Sequence, residues 1–134
     1  MAASIRAAGP VVDIALVHDP AFASALGGQV PLVLSGHTHQ RRVDKLPTAA
    51  GAPVTQLMVQ GSTGGAGLRG LEGPEPTPLT MSVLYLNDQQ RLEAYDDVRV
   101  GGAGMAQVSL DRHVMPLTDL VPAAVGGEDP PVDR

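Results

Sequence analysis

The sequence predicts an α/β fold, in which two buried strands joined by a short helix are followed by an antiparallel meander. Three observations predict it. Two short, almost continuously apolar segments lie in the first third of the chain, and the helix-start pair Asp19-Pro20 lies between them. Apolar and polar residues then alternate in segments after residue 78. The length of 134 residues suits a single domain.

The first half of the chain has the pattern of a strand, a helix and a second strand. Residues 11–17, VVDIALV, are typical of a strand covered on both faces. Asp19 can cap the free N–H groups of a helix, Pro20 suits its first position, and Gly27-Gly28 ends it. Residues 31–35, PLVLS, predict a second buried strand. The short helical connection favours a parallel pair of strands.

The second half is rich in turns and strands. Residues 54–60 predict a strand, and residues 61–78 predict an irregular Gly- and Pro-rich loop. Three further segments with strand character follow, and the turns between them predict an antiparallel meander: 79–85, 91–100 and 106–115.

The domain boundaries follow from composition. Residues 1–10 are a lead-in, and residues 11–117 form the domain. Residues 118–134 have too little apolar content to pack, so we expect a disordered tail.

Composition excludes several classes of function. A formal net charge of -5 argues against a nucleic-acid-binding surface. No stretch approaches the roughly 18 apolar residues of a membrane span. The chain has no cysteine, which excludes disulfides and thiolate zinc sites and leaves the cellular location undetermined.

Three of the four histidines follow the two buried strands. His18 comes directly after the first strand, and His37 and His39 come after the second in the sequence GHTH. The carboxyl ends of parallel strands meet at one edge of a sheet, where ligands bind in open α/β folds. A lone histidine at a strand end is more often a surface residue, but three at neighbouring strand ends predict a metal site. His113 lies on the polar face of its segment and is interpreted as solvated.

These motifs resemble the C-terminal half of a calcineurin-like metallophosphoesterase domain. The resemblance is carried by Gly36-His37-Thr38-His39 after PLVLS, by Val17-His18-Asp19-Pro20, and by the Gly-rich loop from Gln60 to Gly67. It covers roughly residues 11–114 and implies the second half of a two-sheet sandwich flanked by helices. It also implies a metal-dependent phosphoesterase that hydrolyses a phosphate ester with two divalent ions, Mn, Fe or Zn.

The same resemblance assigns ligands. His18 and His37 would share one ion, and His39 would bind the other. The loop would lie beside the phosphate-ester substrate, with four candidate residues: Gly61, Ser62, Gly64 and Gly65.

The sequence departs from this family in one respect. The family's earlier motifs D-x-H, G-D-x-x-D and G-N-H-D/E do not precede His18, so the bridging aspartate, the asparagine ligand and the catalytic histidine have no counterparts. No catalytic residue is therefore identified in this chain. We expect it to be a C-terminal fragment whose partner is the missing N-terminal half, to bind metal weakly and to be inactive alone.

The same residues raise two other interpretations. The chain could be a non-catalytic β-rich binding or structural fragment whose histidines are incidental or bind metal weakly. Residues 65–70, GAGLRG, match the dinucleotide pattern G-x-G-x-x-G, but three prolines in residues 74–78 forbid the helix that this fold requires. A nucleotide-binding fold is therefore rejected.

Overall fold

The computed structural model describes residues 12–63, 78–101 and 107–116. In these residues the chain is mostly β and forms two sheets, with one 3₁₀ helix. This agrees with the broadly α/β or β-rich class that the sequence predicts. The elements in chain order are β1 (Ile14–Val17), the 3₁₀ helix (Pro20–Leu26), β2 (Leu32–Ser35), β3 (Arg42–Leu46), β4 (Thr55–Val59), β5 (Leu79–Leu86), β6 (Leu92–Val100) and β7 (Val108–Val114).

The first sheet has the strand order β1-β2-β4-β3. β1 pairs with β2, and β2 with β4, in parallel, which confirms the predicted parallel pair. β3 runs antiparallel to β4 and was not predicted from the sequence. The carboxyl ends of β1, β2 and β4 therefore lie at the same edge of this sheet.

The 3₁₀ helix begins and ends as its sequence indicates. The Asp19 carboxylate accepts a hydrogen bond from the Ala21 N–H at 2.9 Å, and Pro20 occupies the first turn. The Gly27 N–H donates to the Ser24 carbonyl and closes the helix. A side chain at Gly27 would collide with the Pro47 carbonyl, so this close approach requires glycine.

Two clusters of buried side chains cover the two faces of the first sheet. One cluster packs the helix against the sheet and comprises Val17, Ala23, Leu26, Val30, Val33, Leu57 and Val59. The other joins Leu32 and Met58 of the first sheet to Leu92 and Tyr95 of β6. In β1, Ala15 and Val17 pack in the first cluster and Ile14 packs against the second, but Leu16 is 78% exposed, so the predicted coverage of both faces fails at Leu16.

The second sheet is the predicted antiparallel meander, in the order β5-β6-β7. Polar and apolar side chains alternate along its strands, but the polar face, not the apolar one, contacts the first sheet. Thr80, Ser82 and Asp97 share the face that contacts the first sheet, as the Arg41–Asp97 and Gln60–Thr80 contacts demonstrate. The opposite face, which we call the outer face, carries exposed apolar side chains: Leu79, Met81, Val83, Tyr85, Val108, Leu110 and Val114.

No helix in the described ranges is long and apolar enough to cross a membrane.

Candidate metal centre

The histidines lie where the parallel strands of the first sheet end. His18 follows β1 directly, and its carbonyl accepts hydrogen bonds from the Gly36 N–H at 3.1 Å and the Ser35 hydroxyl at 3.0 Å. These bonds tie the start of the Gly36–Gln40 segment, here called the histidine turn, to the end of β1. The Gln60 N–H donates to the Ser35 carbonyl at 2.7 Å, so the chain leaves β4 beside the same turn.

His18 and His37 meet through their ring nitrogens. His37 Nδ1 lies 3.2 Å from His18 Nε2, and the two rings are edge-on, with centroids 5.0 Å apart. Both residues are exposed to solvent. At this distance one ring nitrogen can donate a hydrogen bond to the other, or both can face a single cation. The sequence prediction that these two residues converge is confirmed in its geometry.

The separation of the two nitrogens fits a shared ion. Two nitrogen ligands at about 2.0–2.1 Å from one tetrahedral ion are roughly 3.3–3.4 Å apart, close to the separation found here. Among the described residues, no atom other than those of Gly36 and its chain neighbours lies within 4 Å of the position that a Gly36 side chain would occupy, so the backbone beside the histidines is open. A depression of about 330 Å³ adjoins His18, lined by Leu16, Val17, His18, Leu34 and Ser35.

The histidine turn has an uncommon backbone. The Thr38 N–H donates to the Gly36 carbonyl at 2.7 Å, closing a three-residue turn centred on His37. His37 and His39 both have positive φ, 65° and 57°, a region that few non-glycine residues occupy. Glycine is the residue usually found at such φ values, yet here the positive φ values fall on the two histidines and not on Gly36. Such conformations cluster at functional sites.

His39 is exposed, and no hydrogen-bond partner for its ring is found among the described residues. Within those residues, no group of three or more His, Cys, Asp or Glu side chains is placed to hold a metal ion. The assignment of His39 to a neighbouring ion therefore stays a prediction.

The candidate loop residues are only partly described. Gly61 packs so closely on β5 that a side chain there would collide with Thr80 Oγ1. Ser62 is buried, and its carbonyl accepts a hydrogen bond from the Thr80 N–H at 2.7 Å. Gly64 and Gly65 lie outside the described residues. Gly61 and Ser62 thus have a structural role beside β5, and their predicted role toward substrate is untested.

Arg41 and Asp97 form a buried ion pair that the sequence analysis missed. The two residues lie in segments that read from the sequence as polar and solvent-facing. The Arg41 side chain is only 9% exposed, and its Nε donates to Asp97 Oδ1 at 2.9 Å. The pair joins the end of the histidine turn to β6. The two residues are 56 positions apart, so local sequence patterns give no signal for it.

A second ion pair lies on the outer face of the same strand. The Arg112 Nε and Nη2 atoms donate to the two oxygens of Asp96, both at 2.7 Å, and the Tyr85 hydroxyl donates to Asp96 at 2.8 Å. The hydrogen bonds from Arg112 lower the pKa of Asp96 from 3.8 to about 2. The hydrogen bond to the Asp96 carboxylate raises the pKa of Tyr85.

His113 does not join the other histidines. It is exposed, as predicted, but its ring stacks on Tyr95 with the centroids 4.6 Å apart. Asp111-Arg112-His113 matches D-x-H by letter, yet it lies in β7 of the second sheet, at the far end of the chain from the position of that motif in the family.

No protein-family model matches the chain, and no match is found among curated proteins or solved structures. The resemblance to calcineurin-like metallophosphoesterases therefore stays a prediction carried by the motifs themselves.

Proposed function

We propose that this chain contributes the histidine ligands of a metal-dependent phosphoesterase. The observation that supports the proposal most strongly is the approach of His18 Nε2 to His37 Nδ1, 3.2 Å apart at the carboxyl edge of a parallel sheet. Ligand sites of open α/β sheets lie at this edge. A hydrogen bond between two surface histidines would also explain the distance between their ring nitrogens. It would not explain why this contact occurs within a G-H-x-H motif and a strained turn.

The three histidines would bind two ions. His18 and His37 would direct their facing lone pairs at one ion, which requires each ring to carry its proton on the other nitrogen. His39 would supply one ligand to a neighbouring ion. When bound, two such ions would provide a nucleophile from water and neutralise the phosphate oxygens.

The neighbouring arginines have different roles. Arg41 is engaged with Asp97 and is not available to attract a phosphate. Arg42 forms a surface ion pair with Asp44 at 3.3 Å, in which both side chains are about half exposed, so its attraction for a phosphate is screened. Substrate binding would instead depend on the ions and on the chain that leaves β4 at Gln60 and Gly61.

The proposal includes the finer architecture. We infer that the two sheets form part of a two-layer sandwich, because the cluster of Leu32, Met58, Leu92 and Tyr95 draws on both sheets. Carboxylate ligands would come from a second polypeptide segment with the D-x-H and G-N-H-D/E motifs. Without them the ions lack negatively charged ligands, so binding should be weak and the bound water poorly activated.

A turnover experiment tests the proposal. The purified chain is assayed with a chromogenic phosphodiester and Mn²⁺, alone and joined to or mixed with the N-terminal half of a calcineurin-like domain that carries those motifs. We expect no turnover by the chain alone, turnover by the combined protein, and loss of that turnover in His39→Ala. His113→Ala is the matched control and should retain activity.

The opposite pattern would overturn the proposal. Hydrolysis by the chain alone that survives His37→Ala would contradict both the family and the site. Turnover by the combined protein that is equal in His39→Ala and the parent would contradict the ligand assignment.

A further inference from the structure

The histidine turn has few restraints of its own. Its start is fixed by the hydrogen bonds of Ser35 and Gly36 to the His18 carbonyl. Inside it, one short hydrogen bond joins Thr38 to Gly36, and a long one of 3.5 Å joins the Gln40 N–H to Thr38 Oγ1. The rings of His37 and His39 are exposed. Positive φ values at His37 and His39, with only Thr38 between them, persist only where the surroundings impose them, so the end of the turn needs an anchor.

Arg41 has the geometry of that anchor. Its Nε and Nη2 atoms lie 2.9 and 2.8 Å from Asp97 Oδ1, and its Nη1 donates to the Arg42 carbonyl at 2.8 Å. The guanidinium carbon also lies 5.3 Å from the centre of the Tyr95 ring. Asp97 is fixed in turn by the Ser82 hydroxyl, which donates to the same oxygen at 2.7 Å. The side chain that follows the turn is thus held by two strands of the other sheet.

We propose that Arg41 and Asp97 are positioning residues that hold His37 against His18. In a buried ion pair, the attraction between the two charges only partly offsets the cost of removing them from water, so the pair adds little to stability. Its contribution is instead to hold the two side chains in one geometry. The planar fork of arginine suits this purpose, because its donors and its ring contact fix the side chain in several directions at once. That the two rings bind a metal ion rests on the proposed function. Their approach to each other does not.

The neighbouring ion pair provides a matched control. Asp96 and Asp97 are adjacent in β6, both are buried, and both pair with an arginine. Asp96 faces the outer side of the sheet and pairs with Arg112 of β7, away from the histidine turn. Removal of either aspartate should disturb the second sheet to a similar degree, whereas Asp97, unlike Asp96, bonds to Arg41 at the end of the histidine turn.

The experiment follows the four histidine rings by NMR in protein with ¹⁵N-labelled histidine and no metal. In the parent, the short distance between the His18 and His37 rings should give cross-peaks between their protons. We expect Asp97→Ala to remove these cross-peaks. Asp96→Ala should preserve them, although it can shift the signals of His113. Backbone amide spectra establish that each variant is folded.

If an aspartate variant does not fold, a second pair of variants tests the same positioning role. Arg41→Lys retains the charge but loses the fork, and should lose the ring cross-peaks, whereas Arg112→Lys should retain them. Unchanged His18 and His37 signals in a folded Asp97→Ala or Arg41→Lys variant would overturn the proposal. Equal loss in the Asp96 or Arg112 variants would overturn it too, because the effect would then be general to the sheet.

This test is separate from that of the proposed function. The ring signals are measured without metal and without substrate, so a failure to bind Mn²⁺ or to turn over a phosphodiester leaves the positioning result unaffected. Conversely, a metal site that forms normally in Asp97→Ala would remove the positioning role and leave the phosphoesterase proposal standing.

Discussion

His37 and His39 both hold a left-handed backbone conformation, with φ of 65° and 57°, on either side of Thr38. Residues with a Cβ atom are disfavoured in this conformation, and histidine is one of the few that are enriched there. The turn therefore stores backbone strain at the two residues proposed to bind different ions, and its energetics can be measured without any metal.

The His39→Gly variant should be more stable than the His39→Ala variant. His39→Gly and His39→Ala both remove the imidazole, but only glycine relieves the strain of the positive φ. We expect the free energy of unfolding of His39→Gly to exceed that of His39→Ala by about 1 kcal/mol, measured by urea denaturation. Thr38, which has no positive φ, is the control, and there alanine should be the more stable of the two. The same order at both positions would contradict a strained turn.

Gly61 should not tolerate a side chain while Thr80 is present. A methyl group at Gly61 would collide with Thr80 Oγ1, so Gly61→Ala should lower the free energy of unfolding by about 1–3 kcal/mol. The double variant Gly61→Ala/Thr80→Ala should lose less than the sum of the two single variants. Gly36→Ala is the control, because open space surrounds that position. Additive losses in the double variant would show that the collision is not the cause.

Asp96 should make the fold sensitive to acid. Its pKa in the folded chain is about 2, below the ordinary 3.8, so the ionised carboxylate favours the folded state. This contribution is fully present above about pH 4 and is lost as the pH falls toward 2. Denaturation midpoints measured between pH 5 and 2 should fall less steeply for Asp96→Asn than for the parent. Asp88→Asn, at an exposed turn, should keep the parent's slope; an unchanged slope in Asp96→Asn would contradict the assignment.

The outer face of the second sheet should promote association. Met81, Val98 and Leu110 lie side by side across the three strands, and Met81 and Leu110 are 52% and 59% exposed. Contiguous apolar surface of this kind favours self-association. Sedimentation velocity should show association of the parent that increases with concentration and is reduced in Met81→Thr/Leu110→Thr. Ser109→Thr, on the opposite face of β7, should associate like the parent. A parent that stays monomeric at high concentration would contradict the expectation.

Local patterns in the sequence were sufficient for the elements that build the candidate site. The capped helix after Asp19, the parallel pair β1 and β2 and the meander are each encoded by neighbouring residues, and the structure confirms them. The approach of His18 and His37 followed from the parallel pair, because their strands end at the same edge.

The features that were missed depend on distant residues. β3 is short and alternates weakly, and it is formed by pairing with β4 across a connection of eight residues. The Arg41–Asp97 pair links the two sheets, so neither residue has a local signal. The exposed outer face also runs against the usual rule, because the polar residues of β5 face the first sheet, where Gln60 and Asp97 bond them.

The central claim is that His18 and His37 bind one ion together, and a Mn²⁺ titration of the ¹⁵N-histidine-labelled chain tests it most directly. Paramagnetic broadening should affect the ring signals of His18 and His37 together and at the same ion concentration, well before that of His113. In His37→Ala the effect on His18 should disappear, and in His113→Ala it should be unchanged. Broadening of all four histidines alike, or of His18 undiminished in His37→Ala, would contradict the shared site.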